Sequence, residues 1–264
     1  MLIGYNQATS MKHSSVETDV AMCAKHGFYG LEMQTDLMDK YMDGHTPAEL
    51  GDLFKRHGIK CLPINALLSL YYNDESVARL RYLCECACGG GAETVLVAPI
   101  KSGNDMTETI NAINSFVSIA SEYGVRLALE FLSFDFVGVR SLERAMEVAA
   151  QVPGLRIVID CAHAMGGPTD TDTILKLNPE QIEVVHINDL PYKASGIYAD
   201  SDRLWPGEGN NGLDRIFKNL MAIGYDGLVT VELFNEEYWE LPVDSIYSAA
   251  MSKTKDFLLD YIKL

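Results

Sequence analysis

The chain has 264 residues, with 37 Asp or Glu against 21 Lys or Arg, a formal net charge of −16 at pH 7. That balance excludes a surface built to grip a phosphodiester backbone and argues against a highly anionic substrate. With 48% hydrophobic and 22% charged residues, and no apolar run near the ~20 residues that span a bilayer, a globular protein is expected, not a membrane one.

The first residues, MLIGYNQATS, lack a basic segment followed by a long apolar one. No secretory signal is therefore expected, and the expected compartment is the cytoplasm. Apolar β-type runs then alternate with amphipathic helical runs to the end of the chain. Leu2 to Tyr5 reads as a strand, Ser15 to His26 as a helix stopped by Gly27, and Gly30 to Met33 as a second strand. Pro47 to His57 carries the marks of a helix start: Thr46 as N-cap, Pro47 in the first turn and Glu49 at the capping-box position. Ile59 to Ile64 is the third strand and Asp74 to Cys88 the third helix, which the run Gly89-Gly90-Gly91 is expected to break. That helix places Cys84 and Cys88 together and Cys86 away from them; without a CxxC pair, reduced, buried or half-buried thiols are expected.

Thr94 to Val97 is the fourth strand, closed by Pro99, and Met106 to Tyr123 a helix stopped by Gly124. Val125 to Leu129, Leu155 to Ile159, Ile182 to Ile187 and Gly227 to Val231 are the last four strands. Between and after them lie helices at Ser141 to Gln151, Asp172 to Leu177, Leu213 to Ile223 and Val243 to Tyr261. Eight strands and eight helices, one unit per about 30 residues and no Pro-, Gly- or Ser-rich linker, make residues 1–264 a single α/β domain, a (β/α)8 TIM barrel. A doubly wound open sheet seldom repeats so evenly, and YNQATSM after the first strand has no glycine fingerprint for a dinucleotide.

The exits of the last four strands share a pattern. Arg126 to Leu129 runs into Glu130, Leu155 to Ile159 into Asp160, Glu183 to Val185 into His186, and Leu228 to Val231 into Glu232. A single Asp there is as well explained as an N-cap. Four such residues at the same end of four successive strands are better explained by a shared ligand, because that end of a barrel carries the active site. Three carboxylates and an imidazole form a mostly oxygen donor set suited to one divalent ion, Mn²⁺, Mg²⁺, Co²⁺ or Zn²⁺, with positions left for substrate oxygens. An ion that chelates a carbonyl and its neighbouring hydroxyl acidifies the C–H between them. A carboxylate can then take that proton to give a metal-bound enediolate, leading to isomerisation, epimerisation or dehydration.

Glu130, DCAH at Asp160 to His163, HIND at His186 to Asp189, RLWPGEG at Arg203 to Gly209 and VELF at Val231 to Phe234 together resemble the xylose isomerase-like TIM barrels. YNQAT near the start, INAL at Ile64 to Leu67, ALEF at Ala128 to Phe131 and ELFNEEYWEL at Glu232 to Leu241 are most similar to the inosose (2-keto-myo-inositol) isomerases of inositol catabolism. The likeness covers nearly the whole chain. It implies that Glu130, Asp160, His186 and Glu232 bind the metal. It also implies that Glu130 and Glu232 form the proton-transfer pair, and that His163 and Arg203 hold substrate oxygens. AP endonuclease relatives use three metals and further His and Asp ligands. Here only His163 and His186 of the six His stand at strand ends, so a trinuclear site is not expected.

Glu32, Asn6 and Asn65 end the second, first and third strands and are expected either to meet a polyol at the mouth or to serve as caps. Trp205 is a candidate apolar wall of the substrate pocket, as is Trp239, with loop packing as the competing reading. Asp189 is expected to orient the loop or His186, Tyr71 and Tyr72 to pack rather than border the pocket, which is the competing reading, and Glu236 and Glu237 to face solvent. The expected function is a metal-dependent isomerase or epimerase of an unphosphorylated keto-polyol or ketose, with 2-keto-myo-inositol favoured by the resemblance. A dehydratase of a keto-polyol or dehydroshikimate and a ketose 3-epimerase are the enzymatic alternatives. A catalytically inert barrel is the alternative from another class, but it predicts a spoiled ligand, and all four are intact. A small-molecule polyol or ketose is the expected partner, without nucleic acid or membrane, and a homo-oligomer is left open.

Overall fold

In the computed structural model, which describes residues 1–103 and 105–261, eight parallel strands close into a barrel in chain order. They are β1 (Leu2–Asn6), β2 (Gly30–Gln34), β3 (Lys60–Ser69), β4 (Thr94–Lys101), β5 (Arg126–Glu130), β6 (Arg156–Asp160), β7 (Ile182–Ile187) and β8 (Leu228–Val231). Around them run α1 (Val16–His26), α2 (Thr35–Met42), α3 (Pro47–His57), α4 (Asp74–Gly90), α5 (Met106–Glu122), α6 (Leu142–Ala149), α7 (Cys161–Gly166), α8 (Leu213–Ala222) and α9 (Val243–Leu259). The (β/α)8 barrel expected from the alternation is therefore the fold. No helix among the described residues is long and apolar enough to cross a membrane.

Alternate residues of each strand face the barrel axis. Leu96, Ala128, Val158 and Val184 form an apolar layer there. Two residues further along the same strands stand Ala98, Glu130, Asp160 and His186. The site is thus the next layer of the same interior, at the C-terminal ends of the strands. Side chains at Gly4 and Gly30 would overlap Leu62, so the two glycines leave Leu62 the space on the axis. Between β3 and its neighbours the register shifts at Leu31/Met33 and Ile64/Leu67. Such irregularities re-aim side chains near active sites, and Asn65 lies between the second pair.

Several boundaries differ from the sequence reading. The helix that Gly89-Gly90-Gly91 was expected to break continues through Gly89 and Gly90 and ends at Gly91, which takes a left-handed φ of 81°. The reason is helix packing. A methyl at Gly89 would overlap Pro47 at the start of α3, and one at Gly51 would overlap the Gly89 carbonyl. Replacing Gly89 with Ala should therefore lower stability by about 1–2 kcal/mol, overpacking of about 1–3 kcal/mol outweighing the ~1 kcal/mol that Ala gains in a helix. Thermal unfolding checks the sign; an Ala variant that melts higher than the parent would refute the close packing.

Pro99 does not close β4, which runs on to Lys101. Pairing with β5 ends at Val97, so the missing Pro99 N–H breaks no ladder on that side. The Asp172 to Leu177 helix is a 3₁₀ segment, Thr171–Lys176. Helices α2 and α7 were not expected: they have eight and six residues, and no side chain caps the first of them. The capping box of α3 is present, Thr46 accepting from Glu49 N at 3.3 Å while Glu49 Oε2 accepts from Thr46 N at 2.7 Å. All six cysteines are free thiols; Cys84 and Cys86 are both buried and Cys88 is exposed. Cys84 and Cys88 stand one turn apart on α4, as expected, and Cys86 is buried away from them although Cys88 is exposed, because α4 packs on α3 on one side and on α5 on another.

Candidate metal centre and active site

Glu130 and Asp160 are the last residues of β5 and β6, His186 is the last but one of β7, and Glu232 follows β8 directly. All four are buried, and each offers one donor atom within 4.8 Å of the others. The donors converge on His186 Nδ1, with Glu232 Oε2 at 3.0 Å, Glu130 Oε1 at 3.1 Å and Asp160 Oδ2 at 3.7 Å. Donors about 2.0–2.2 Å from a tetrahedral ion stand about 3.4 Å from one another. The measured separations bracket that value, so the donor set fits a single small divalent ion.

The charge balance points the same way. Glu32 is a fourth buried carboxylate at the site, and its Oε1 lies 3.0 Å from His186 Nε2. Against these four stands one buried guanidinium, Arg203, leaving three formal negative charges beside a neutral His186. Burial pushes the Glu130 carboxyl up to about 7, with the charges of Glu232 and Asp160 adding to the rise and His186 opposing it. Burial alone would lower His186, but Glu232, Glu32 and Glu130 hold it well above the ordinary range of an imidazole. Unshared, these groups compete for protons; a bound cation offsets the same charge.

Asp160 serves two ends at once. Its Oδ1 caps α7 by accepting from His163 N at 2.8 Å, so the N-cap reading holds. Its Oδ2 joins the cluster and accepts from Asn188 Nδ2 at 2.9 Å and Arg203 Nη1 at 2.8 Å. Burial would raise this carboxyl, but Arg203, His163 and His186 hold it well below the usual carboxylate range.

Arg203 reaches the site from the loop after β7. Its Nη1 also donates to Glu232 Oε2 at 2.9 Å and its Nη2 to Asp200 Oδ1 at 3.0 Å, and its guanidinium lies 5.1 Å from the centre of the Phe234 ring. Asp189 holds that loop rather than His186. Its carboxylate accepts from Leu190 N at 2.8 Å, Gly209 N at 2.9 Å and Gly207 N at 3.1 Å, while its backbone pairs with Leu204. His163 is buried beside Arg203, its Nε2 3.3 Å from Arg203 Nη2. Ser133 lies on the other side of the ring, its N and Oγ 3.3 and 3.1 Å from His163 Nδ1, while Arg203 Nη2, a donor, faces Nε2. Burial lowers His163 below the usual imidazole range.

Asn6, Glu32 and Asn65 turn their polar atoms onto the cluster. Asn6 Nδ2 donates to Glu32 Oε1 and to Glu232 Oε1, both at 2.9 Å. Asn65 Nδ2 donates to the same two oxygens at 3.0 and 3.1 Å. Trp205 is 4% exposed and stacked on Tyr238 at 4.6 Å. Trp239 donates to Ala8 O at 2.9 Å. Tyr71, Tyr72, Glu236 and Glu237 are exposed, and Tyr71 lines a cavity of about 370 Å³ with Thr35, Leu67, Ser69 and Ile100, off the ends of β2, β3 and β4.

Sequence reasoning missed Ser133, Asn188, Gln34 and Thr230. Asn188 stands within HIND and Ser133 three residues past Glu130, so position in the motif was the available signal for both. Gln34 and Thr230 carried none, because their partners, Asn6 and Glu32, are long-range.

A family model described as xylose isomerase-like TIM barrel matches residues 20–257. An inosose isomerase of Halalkalibacterium halodurans is 28% identical, the alignment covering 100% of this chain and 99% of that one. An inosose isomerase of Bacillus velezensis is 27% identical over 99% of this chain and 98% of its own. Among solved structures, the IOLI protein crystallised with a bound zinc atom superimposes with a TM-score of 0.94 at 27% identity, covering 100% of both chains.

Proposed function

Because the chain belongs to the xylose isomerase-like TIM barrel family, we propose that it is a divalent-metal-dependent isomerase of an unphosphorylated keto-polyol, with 2-keto-myo-inositol as its substrate. The observation that carries this reading is the convergence of three carboxylate oxygens on His186 Nδ1 at the C-terminal end of the barrel. Glu130, Asp160, His186 and Glu232 would hold the ion, which supplies Lewis-acid polarisation of a carbonyl and its neighbouring hydroxyl. Full-length relatives named inosose isomerase and the zinc-bearing IOLI neighbour support both the metal and the substrate.

The chain's own groups divide the remaining work. Glu130 and Glu232 come from β5 and β8 and flank the cluster from different strands. One removes the proton from the hydroxyl-bearing carbon next to the carbonyl and the other returns a proton to the former carbonyl carbon, while the proton of that hydroxyl passes to the old carbonyl oxygen. Arg203 Nη2 and the His163 ring, side by side, hold substrate oxygens. The absence of a phosphate on the substrate follows from charge. Arg203 is the one guanidinium in the cluster, and it is already paired with Asp160, Glu232 and Asp200.

Incubating the metal-loaded protein with 2-keto-myo-inositol and following the products by NMR tests the reading. A regioisomeric keto-inositol is expected. A dehydrated product would assign the dehydratase alternative, an epimer would assign the epimerase one, and no turnover of any keto-polyol or ketose would sink the proposal.

Arg203→Ala separates metal from substrate. The variant loses a cation that shares oxygens with the ligand set, so metal should be retained while kcat/KM falls about a hundredfold, the scale of losing one charged donor to substrate. Loss of metal in that variant would contradict the role.

A further inference from the structure

We propose that Glu32 is a positioning residue of the metal centre, accepting the Nε2 proton of His186 so that Nδ1 presents its lone pair to the site. The inference rests on the metal reading above and departs from the expectation that Glu32 meets substrate. An imidazole has two nitrogens, and only the one without a proton can bind a metal. Nδ1 of His186 is the nitrogen on which Glu130, Asp160 and Glu232 converge. Nε2 is buried and makes no aligned hydrogen bond, yet Glu32 Oε1, an acceptor when ionised, stands 3.0 Å away. Nδ1 now makes the ring's hydrogen bond, to Glu130 Oε1 at 3.1 Å; with an ion in place of that contact the ring proton is left to Nε2, where Glu32 Oε1 is the acceptor within reach.

Glu32 is itself built in place. It is 0% exposed, and its Oε2 accepts from Thr230 Oγ1 at 2.8 Å. Its Oε1 accepts from Asn6 Nδ2 at 2.9 Å and Asn65 Nδ2 at 3.0 Å. The same two amides donate to Glu232 Oε1, so the carboxylate behind His186 and a ligand carboxylate in front of it are clamped as one unit. Asn6 is fixed in turn, its Oδ1 accepting from Ala8 N and Gln34 Nε2, both at 2.9 Å. The first three strands thus brace the ligands that the last four supply. Two amides and the imidazole surround Oε1, a hydroxyl holds Oε2, and the side chain is wholly buried behind His186.

Zinc titration by competition with a chelating dye tests this on the full chain, comparing the parent with Glu32→Met and Glu32→Gln. Met keeps the volume without an acceptor; Gln keeps an acceptor oxygen. Glu32→Met should bind zinc about 10–100-fold more weakly, the usual cost of removing such a partner, and Glu32→Gln should recover most of that loss. KM of the zinc-saturated variants should match the parent. Parent-like zinc affinity in Glu32→Met, equal losses in both variants, or a raised KM with unchanged zinc affinity would each overturn the inference. Should Glu32→Met fail to fold, ¹⁵N–¹H spectra of the zinc-loaded parent decide: a proton on Nε2 of His186 supports the role, and one on Nδ1 overturns it. A parent that binds no zinc would instead sink the metal reading, and that titration is done first.

Discussion

Asp160→Asn should leave a folded barrel that no longer retains a stoichiometric divalent ion. Asn caps a helix about as well as Asp, so α7 keeps the hydrogen bond from His163 N that Asp160 Oδ1 now accepts. What the substitution removes is the charge at Oδ2. That oxygen is aimed at His186 Nδ1, and the carboxyl is held well below its usual range by Arg203, His163 and His186 despite burial. Its charge is one of the three carboxylate charges that the ligand set would offer a cation. Removing a partner of a ligand costs about 10–100-fold in affinity; removing a ligand and its charge should cost more than about a hundredfold and reduce kcat/KM about a thousandfold or more. Metal analysis after dialysis and a thermal melt check the outcome. One ion per chain at parental affinity would take Asp160 out of the site.

That residue also shows what the sequence could and could not convey. Capping and metal binding were competing explanations of Asp160 in the sequence; in the structure Oδ1 caps α7 and Oδ2 turns into the cluster beside His186. The strand exits were legible because a strand buried on both faces shows any polar residue as an interruption, and four interruptions at one end imply one place. Glu32, Asn6 and Asn65 interrupt their strands too, yet where they point depends on partners as far as 226 residues away and on a register irregularity at Asn65. Composition has no signal for either. The Gly89–Gly91 run misled for a similar reason. A glycine that ends a helix and one that admits a neighbouring helix look alike until the neighbour, here Pro47, is in place. Arg203 was findable only through its motif, because nothing local tells a loop arginine to fold back 2.8 Å from Asp160. Asp189 does that work by holding the loop backbone just after Arg203, at Leu204, Gly207 and Gly209.

Shortening either glutamate of the proton-transfer pair should separate chemistry from metal binding. Glu130→Asp and Glu232→Asp keep the charge that holds an ion but withdraw the carboxylate by one methylene. A misplacement of about 1 Å can cost about a hundredfold in rate, and loss of general acid–base catalysis costs about 10²–10⁴. At saturating metal, kcat should therefore fall about a hundredfold or more in each variant, with substrate binding little changed. The pair also predicts the fate of the proton. Glu130 Oε1 and Glu232 Oε2 lie 3.1 and 3.0 Å from His186 Nδ1 but at the ends of different strands, β5 and β8. A proton taken by one is not the proton delivered by the other, so turnover in D₂O should place deuterium on the original carbonyl carbon, which carries the new C–H bond of the isomer. EDTA should stop the reaction, and added NAD⁺ should make no difference, in keeping with a first strand that ends in YNQATSM without a glycine fingerprint. A product free of deuterium would replace the two-carboxylate path with transfer by a single shielded base. Turnover without metal, or only with nicotinamide, would remove proton transfer at this centre altogether.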